Sequence, residues 1–398
     1  MRRIALCLCV ALAGSVAGIG WWRITEARAS AVSRVSYLAS WSPKAAADYL
    51  DRREVWWQEW PAAKMDHGTV CVSCHTVLPY AMMRRSLGRE LHESAMPAPQ
   101  KVLMENVEKR VAGWSEMVPY YSDAADGPGK TAQSHATEAV VNAVILANED
   151  AQNGHLRPVT RSAFEEAWAL QEVTGEDAGG WKWQDFHLAP WESAESGYQG
   201  ATWLMLAVEN APDGYASEPQ VEKHLESLRQ YLRRHYAEQP VVNKLYVLWL
   251  STKAPEMLTT DERKNLLETV RGLQLSDGGW NLFSLDPRSV TESTQLKRLK
   301  AELKEQLGEI VNPLESDGYA TGLVAVVLEE SGRDPQDQSL RRALEWLERH
   351  QSRDGSWRTY SLNGHPEPES DLGRFMSDAA TAYAVMALED GRPQQAEK

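Results

Sequence analysis

From about residue 40 onward the chain alternates two kinds of apolar pattern. One is amphipathic at helical period. Val221, Leu225 and Leu228 recur three and four apart among Glu222, Lys223, His224 and Glu226, which predicts a helix with one face in a core and the other in water. Stretches of this kind fall at about 44–60, 98–117, 158–173, 219–236, 260–274 and 338–350. The other kind is small or apolar on nearly every side, as in Ser134–Val140, Glu195–Thr202, Glu315–Gly322 and Met376–Tyr383. Helices of that composition are buried, and a Ser near the start of each is expected to cap it. Inner helices are expected near 71–88, 134–148, 196–209, 241–252, 316–330 and 377–389. Six outer–inner hairpins in succession predict an all-α protein, an α/α toroid of about six helical hairpins.

The hairpins carry an internal repeat, the first thing to look for in a chain of 398 residues. Leu170-Gln171 runs to Gly179-Gly180-Trp181, Leu273-Gln274 to Asp277-Gly278-Gly279-Trp280, and His350-Gln351 to Asp354-Gly355-Ser356-Trp357. In each, the Gln closes a helix, the Gly turns the chain and the Trp packs back over the turn. These Gln-to-Trp repeats resemble the QW motifs of squalene-hopene and oxidosqualene cyclases, whose toroid is shared with the protein prenyltransferases. The resemblance covers roughly 160–390 by motif and 40–150 by helical pattern. It implies a terpenoid cyclase-like toroid around a cavity for an isoprenoid or lipid-like ligand. The chain departs from that family in its chemistry, having neither the Asp-x-Asp-Asp of the cyclases nor the zinc ligands of the prenyltransferases. Between Asp286 and Pro313 the fifth pair is interrupted by a stretch with Leu296, Leu299, Leu303, Leu307 and Ile310 at helical spacing, read as one extra helix, a lid or a surface insertion.

Within the first hairpin lies Cys71-Val72-Ser73-Cys74-His75, the Cys-x-x-Cys-His attachment signature of c-type haem. Two thiols at this spacing can each add to a vinyl group of one porphyrin, with the adjacent imidazole as proximal iron ligand. Of four cysteines, Cys7 and Cys9 lie in the apolar N-terminal stretch, so Cys71 and Cys74 are the pair of the chain's main body. A redox-active pair or a single disulfide are the other readings; zinc lacks a second Cys/His pair. Pro79 is expected to begin the helix after the motif or to kink one that starts at Cys71. The cofactor expected is one covalent haem c.

Met1-Arg2-Arg3 followed by an uncharged apolar segment from Ile4 to Trp22 reads as an export signal, with residues 1–29 either a cleaved signal peptide or a single N-terminal membrane anchor. Either reading places the body in the periplasm or otherwise outside the cytoplasm, where haem c is attached in bacteria. The layout expected is a helical haem-binding region over 30–130, forming the first hairpins, and the cyclase-like toroid over 131–398. A net charge of −14 argues against nucleic acid as partner. Sixteen Trp against four Phe point to a Trp-dependent repeat or an aromatic-lined cavity.

If the inner helices all start at one end, that end gathers His135, Glu138, Glu195, Tyr198, Asp317, Tyr319 and Asp378 beside the haem. Asp317 and Asp378 are the candidate catalytic acids, although a carboxylate in a first helical turn also serves the free N–H groups there. His135 or Met96 is the candidate distal iron ligand, Met96 because Pro97 follows it; His67, His92 and His187 are further candidates. The leading expectation is an exported c-type haem protein acting in electron transfer or haem-dependent oxidoreduction, with a redox protein or small electron carrier as partner. A terpene cyclase-like isomerase and a non-catalytic binding module are the alternatives.

Overall fold

Four of the six long outer helices open on a proline, whose missing N–H is no loss at a helix start. The computed structural model describes residues 36–286, 315–332, 336–359 and 370–390, so the N-terminal segment and most of the insertion after Asp286 lie outside the described residues. The outer helices are α1 (Pro43–Glu59), α3 (Ala98–Ala112), α6 (Pro158–Ala169), α8 (Pro219–His235), α10 (Thr260–Gly272) and α13 (Gln338–Arg349). Pro43, Pro99, Pro158 and Pro219 begin the first four. A Thr259/Glu262 capping box starts α10, and the Asp337 carboxylate starts α13.

Between them come the inner helices α2 (Val77–Glu90), α5 (Lys130–Asn153), α7 (Ser196–Glu209), α9 (Val241–Leu250), α12 (Gly318–Glu330) and α14 (Phe375–Asp390). Two short helices, α4 (Asp123–Asp126) and α11 (Leu282–Leu285), complete the fourteen of the described residues, which include no strand. Each inner helix touches the next in chain order, and α14 returns to touch α2 and α1. The contacts thus run in a closed cycle, compatible with an α/α toroid. All described residues except Ser36 and Glu315 belong to one unit, Tyr37–Ser289 with Ser316–Lys398; no boundary falls near residue 130, and the Cys-x-x-Cys-His hairpin is part of the cycle.

The repeat has a uniform physical basis. Gln171, Gln274 and Gln351 each donate from Nε2 twice: to the Gly carbonyl of their own turn (Gly179 2.9 Å, Gly278 2.8 Å, Gly355 3.0 Å) and to a carbonyl at the next outer helix (His224 3.1 Å, Ser339 2.8 Å, Ser42 3.0 Å). Trp181, Trp280 and Trp357 donate from Nε1 to Ala167, Val270 and Leu347 near the end of the preceding helix, at 2.7, 2.7 and 2.8 Å. Each motif therefore fastens one hairpin to the next.

The Ser caps expected for the inner helices are corrected by the structure. Helix α5 begins earlier, at Lys130 after Gly129 in a left-handed conformation, which leaves Ser134 inside it. Asp317, not Ser316, caps α12, and Ser377 is the third residue of α14. The Thr one turn further on has the role the pattern hid: Thr321 and Thr381 accept the backbone N–H of Trp280 and Trp357, at 3.0 and 3.1 Å.

Candidate functional site

The Cys-x-x-Cys-His run is a turn rather than the first turn of a helix. Ser73 Oγ accepts the N–H groups of Thr76 and Val77, and α2 starts at Val77 with Pro79 still in its first turn, where proline is tolerated. The turn is held from three sides. Cys71 N–H donates to Ala63 at 2.8 Å, Trp57 Nε1 donates to the Cys71 carbonyl at 2.7 Å, and Asn106 of α3 pairs with both backbone groups of Val70.

Cys71, Cys74 and His75 line one cavity of about 390 Å³, a size within the usual range for small-molecule and cofactor sites. Its apolar walls include Trp57, Trp60, Trp191, Phe375 and Met376; Tyr120, Tyr121, Ser134, Thr137, Gln184, Glu138 and Glu192 supply polar groups. Glu138 is held by the buried guanidinium of Arg110, which also donates to Thr69. Glu192 sits on the loop before α7, its backbone paired with Leu188. Burial lifts its carboxyl to about 7, with Lys130 opposing.

His75 is fixed in orientation. Its ring stacks on Phe375 (centroids 3.8 Å, planes 25° apart) and meets the edge of Trp57 at 5.0 Å. Nδ1 hydrogen-bonds Thr76 Oγ1 at 2.9 Å; no described residue bonds the other nitrogen. Burial, aided by the Arg53 charge, pushes the imidazole down to about 3, so it is neutral at pH 7 and keeps a lone pair. The two thiols are free. Burial raises both, the Glu138 charge adding to it at Cys71 and the Glu192 charge at Cys74. Reactive dithiols depend on the opposite shift. Two thiols and a neutral imidazole opening on one aromatic cavity, with one imidazole nitrogen uncommitted, fit a covalently held haem. No family model matches the chain, and no curated protein is significantly similar to it.

The other candidates are dispersed. Glu138 joins the cavity wall, but His135 and Met96 are not among its lining residues. His135 stacks on Trp114 at 4.6 Å with its Nε2 buried and unpaired, and Met96 is exposed. His67 and His187 pair with Asp66 and Asp185, and His92 follows α2 in a left-handed conformation. The Asp317 carboxylate accepts the N–H groups of Ala320 and Leu282, at 2.8 and 2.7 Å, and burial lifts it to about 6. Asp378 accepts Tyr49 Oη (2.7 Å), Arg53 Nε (2.8 Å) and Thr76 Oγ1 (2.8 Å). Both acids thus serve the frame. Behind the cavity the hydroxyl of Tyr246 lies 3.0 Å from that of Tyr319 and 2.8 Å from that of Tyr383, with Trp203 and Trp191 packed against these rings.

Sequence reasoning passed over Thr76, Glu192, Trp191 and Phe375. Only Thr76 carried a signal, as the residue beside His75; the others reach the cavity from more than a hundred residues away.

Proposed function

We propose that this chain is an exported c-type haem protein on a cyclase-like helical ring, acting in electron transfer or haem-dependent oxidoreduction. The observation that carries the reading is that Cys71, Cys74 and His75 open together on one aromatic cavity. Cys71 and Cys74 would hold the porphyrin and His75 would bind its iron, which when bound supplies one-electron chemistry. The residues around it do the rest. Trp57, Trp60, Trp191 and Phe375 line the cavity with apolar surface that would exclude water from the group held there. Arg110 donates to Glu138 and holds it in the wall, while Glu192 can hold or release a proton there near neutral pH. An isoprenoid-like ligand, as the cyclase resemblance implies, would compete for the same cavity, and the thiols favour haem. The redox partner is a protein or small electron carrier, and the compartment is extracytoplasmic.

The test is covalent attachment. Protein made in cells able to mature cytochromes c should keep haem on the denatured polypeptide, visible by in-gel peroxidase staining and by a mass increase of one haem. C71S/C74S should lose it. A wild-type chain of unmodified mass from such cells overturns the reading.

A further inference from the structure

We propose that Thr76 and Asp378 are positioning residues that fix His75 as an Nδ1–H imidazole through a hydrogen-bonded line from the last inner helix; this rests on the haem reading above. The line runs from His75 Nδ1 to Thr76 Oγ1, 2.9 Å, and from Thr76 Oγ1 to Asp378 Oδ2, 2.8 Å. Its direction follows from the chemistry of the far end. Arg53 Nε lies 2.8 and 3.0 Å from the two oxygens of Asp378, and a guanidinium stays protonated and only donates. Tyr49 donates its hydroxyl to Oδ1. Burial raises the Asp378 carboxyl, but Arg53, Tyr49 and Thr76 all oppose that rise by donating to it; Asp378 is therefore the acceptor, and Thr76 spends its single hydrogen on it. Toward His75 the Thr76 oxygen is left only with lone pairs, so the proton between them belongs to Nδ1. The lone pair of the ring then lies on Nε2, the nitrogen with no partner among the described residues.

The same helix fixes the ring twice. Phe375 and Asp378 are three apart on α14, hence on one face; one stacks on the imidazole and the other anchors its Nδ1 through Thr76. A neighbouring acceptor that takes the second N–H of a ligating histidine sets its tautomer and makes it a stronger donor to the metal. Here the acceptor ends in a buried carboxylate from the opposite end of the chain, so closure of the ring and the state of the ligand are coupled.

The variants are T76V, which keeps the shape and loses the oxygen, and T76S, which keeps the oxygen. In the holoprotein, T76V should raise the midpoint potential and lower the iron–histidine stretching frequency in resonance Raman spectra of the reduced form, with T76S close to wild type. In the apoprotein, 15N NMR of labelled histidine should show His75 as the Nδ1–H tautomer in wild type and T76S, and Nε2–H gaining in T76V. Unchanged potential, stretch and tautomer in T76V overturn the proposal. A wild-type chain that takes up no haem defeats the haem reading alone, and the tautomer comparison still decides the line. Should T76V not fold, an Nε2–H His75 in the wild-type apoprotein overturns it and an Nδ1–H His75 that T76S retains upholds it.

Discussion

Gln351 and Ser42, 309 residues apart, are joined by two hydrogen bonds: Ser42 N–H donates to Gln351 Oε1 at 2.7 Å, and Gln351 Nε2 donates to the Ser42 carbonyl at 3.0 Å. The pair ties the last Gln-to-Trp turn to the cap of α1 and so completes the cycle of hairpins. Gln351 is fully buried, and its loss leaves the Gly355 carbonyl and both backbone groups of Ser42 without this partner. Gln351→Leu should cost about 2–4 kcal/mol, about 1–3 kcal/mol of it for the buried Gly355 carbonyl left unsatisfied and the rest for the half-buried groups of Ser42, which water can reach. Gln58→Leu, on the half-buried side of α1, serves as comparison and should cost less. Urea unfolding of both decides it, and equal losses would count against a closing role for Gln351.

The glycines of the repeat make a graded set. A methyl on Gly355 or Gly179 would overlap the carbonyl of Ala45 or Ser227, whereas on Gly278 it would lie 2.8 Å from the Arg342 carbonyl; at Gly154 it would meet nothing within 4 Å. All four have positive φ, so alanine costs about 1–2 kcal/mol everywhere from backbone strain alone. G355A and G179A should add a backbone displacement and unfold well below G278A, with G154A least affected. Melting temperatures in that order are the expected outcome; G154A as damaging as G355A would mean that strain rather than approach sets the cost.

Much of this frame is legible in the sequence because it repeats. A Gln, a Gly and a Trp at fixed spacing demand the same bonds three times, and the amphipathic outer stretches declare their buried face. The helix starts were harder to read, since Ser134 and Ser377 bind loop groups from inside their helices rather than capping them. The Cys-x-x-Cys-His turn was local and visible. Its surroundings were not, because Trp191, Glu192 and Phe375 are brought in by closure of the cycle and carry no spacing relative to His75.

Buried and half-buried carboxyls set the response to pH. Burial lifts Glu54 and Glu166 to about 8 and Glu192 to about 7. In the unfolded chain a Glu titrates near 4.3, so between these values the native state holds protons that the unfolded state has lost, and stability falls as pH rises. Below about 6.5 the lowered pKa of His75 acts in the opposite sense, because the unfolded chain then binds the extra proton. The clear window is above it: from pH 6.5 to about 8.5 the apoprotein should lose stability in urea titrations. E54Q and E166Q should each flatten that fall, and E192Q should remove only its lower part. A stability that rises across this window would contradict the raised pKa values of these groups.

The distal side of the iron is the remaining test, and the geometry separates candidates that the sequence left together. His135 is one residue from Ser134 and two from Thr137, both of which line the cavity, yet its own ring lies face to face with Trp114, planes 20° apart. To reach iron it would have to give up that stacking and turn about the helix, against buried neighbours on both sides. Met96 lies on the exposed stretch before α3 and is absent from the cavity wall. H135A and M96A should therefore leave the spin state and the Soret maximum of the oxidised holoprotein unchanged, while H135A lowers stability through the lost stacking. Apart from the Cys-x-x-Cys-His residues, the soft donor among the groups that line the cavity is the Met376 thioether, the others being tyrosine, carboxyl, amide and hydroxyl oxygens that hold ferrous iron weakly, so the reduced M376A protein should bind carbon monoxide readily. A low-spin wild type that turns high-spin in H135A would show that the ring swings inward on haem attachment.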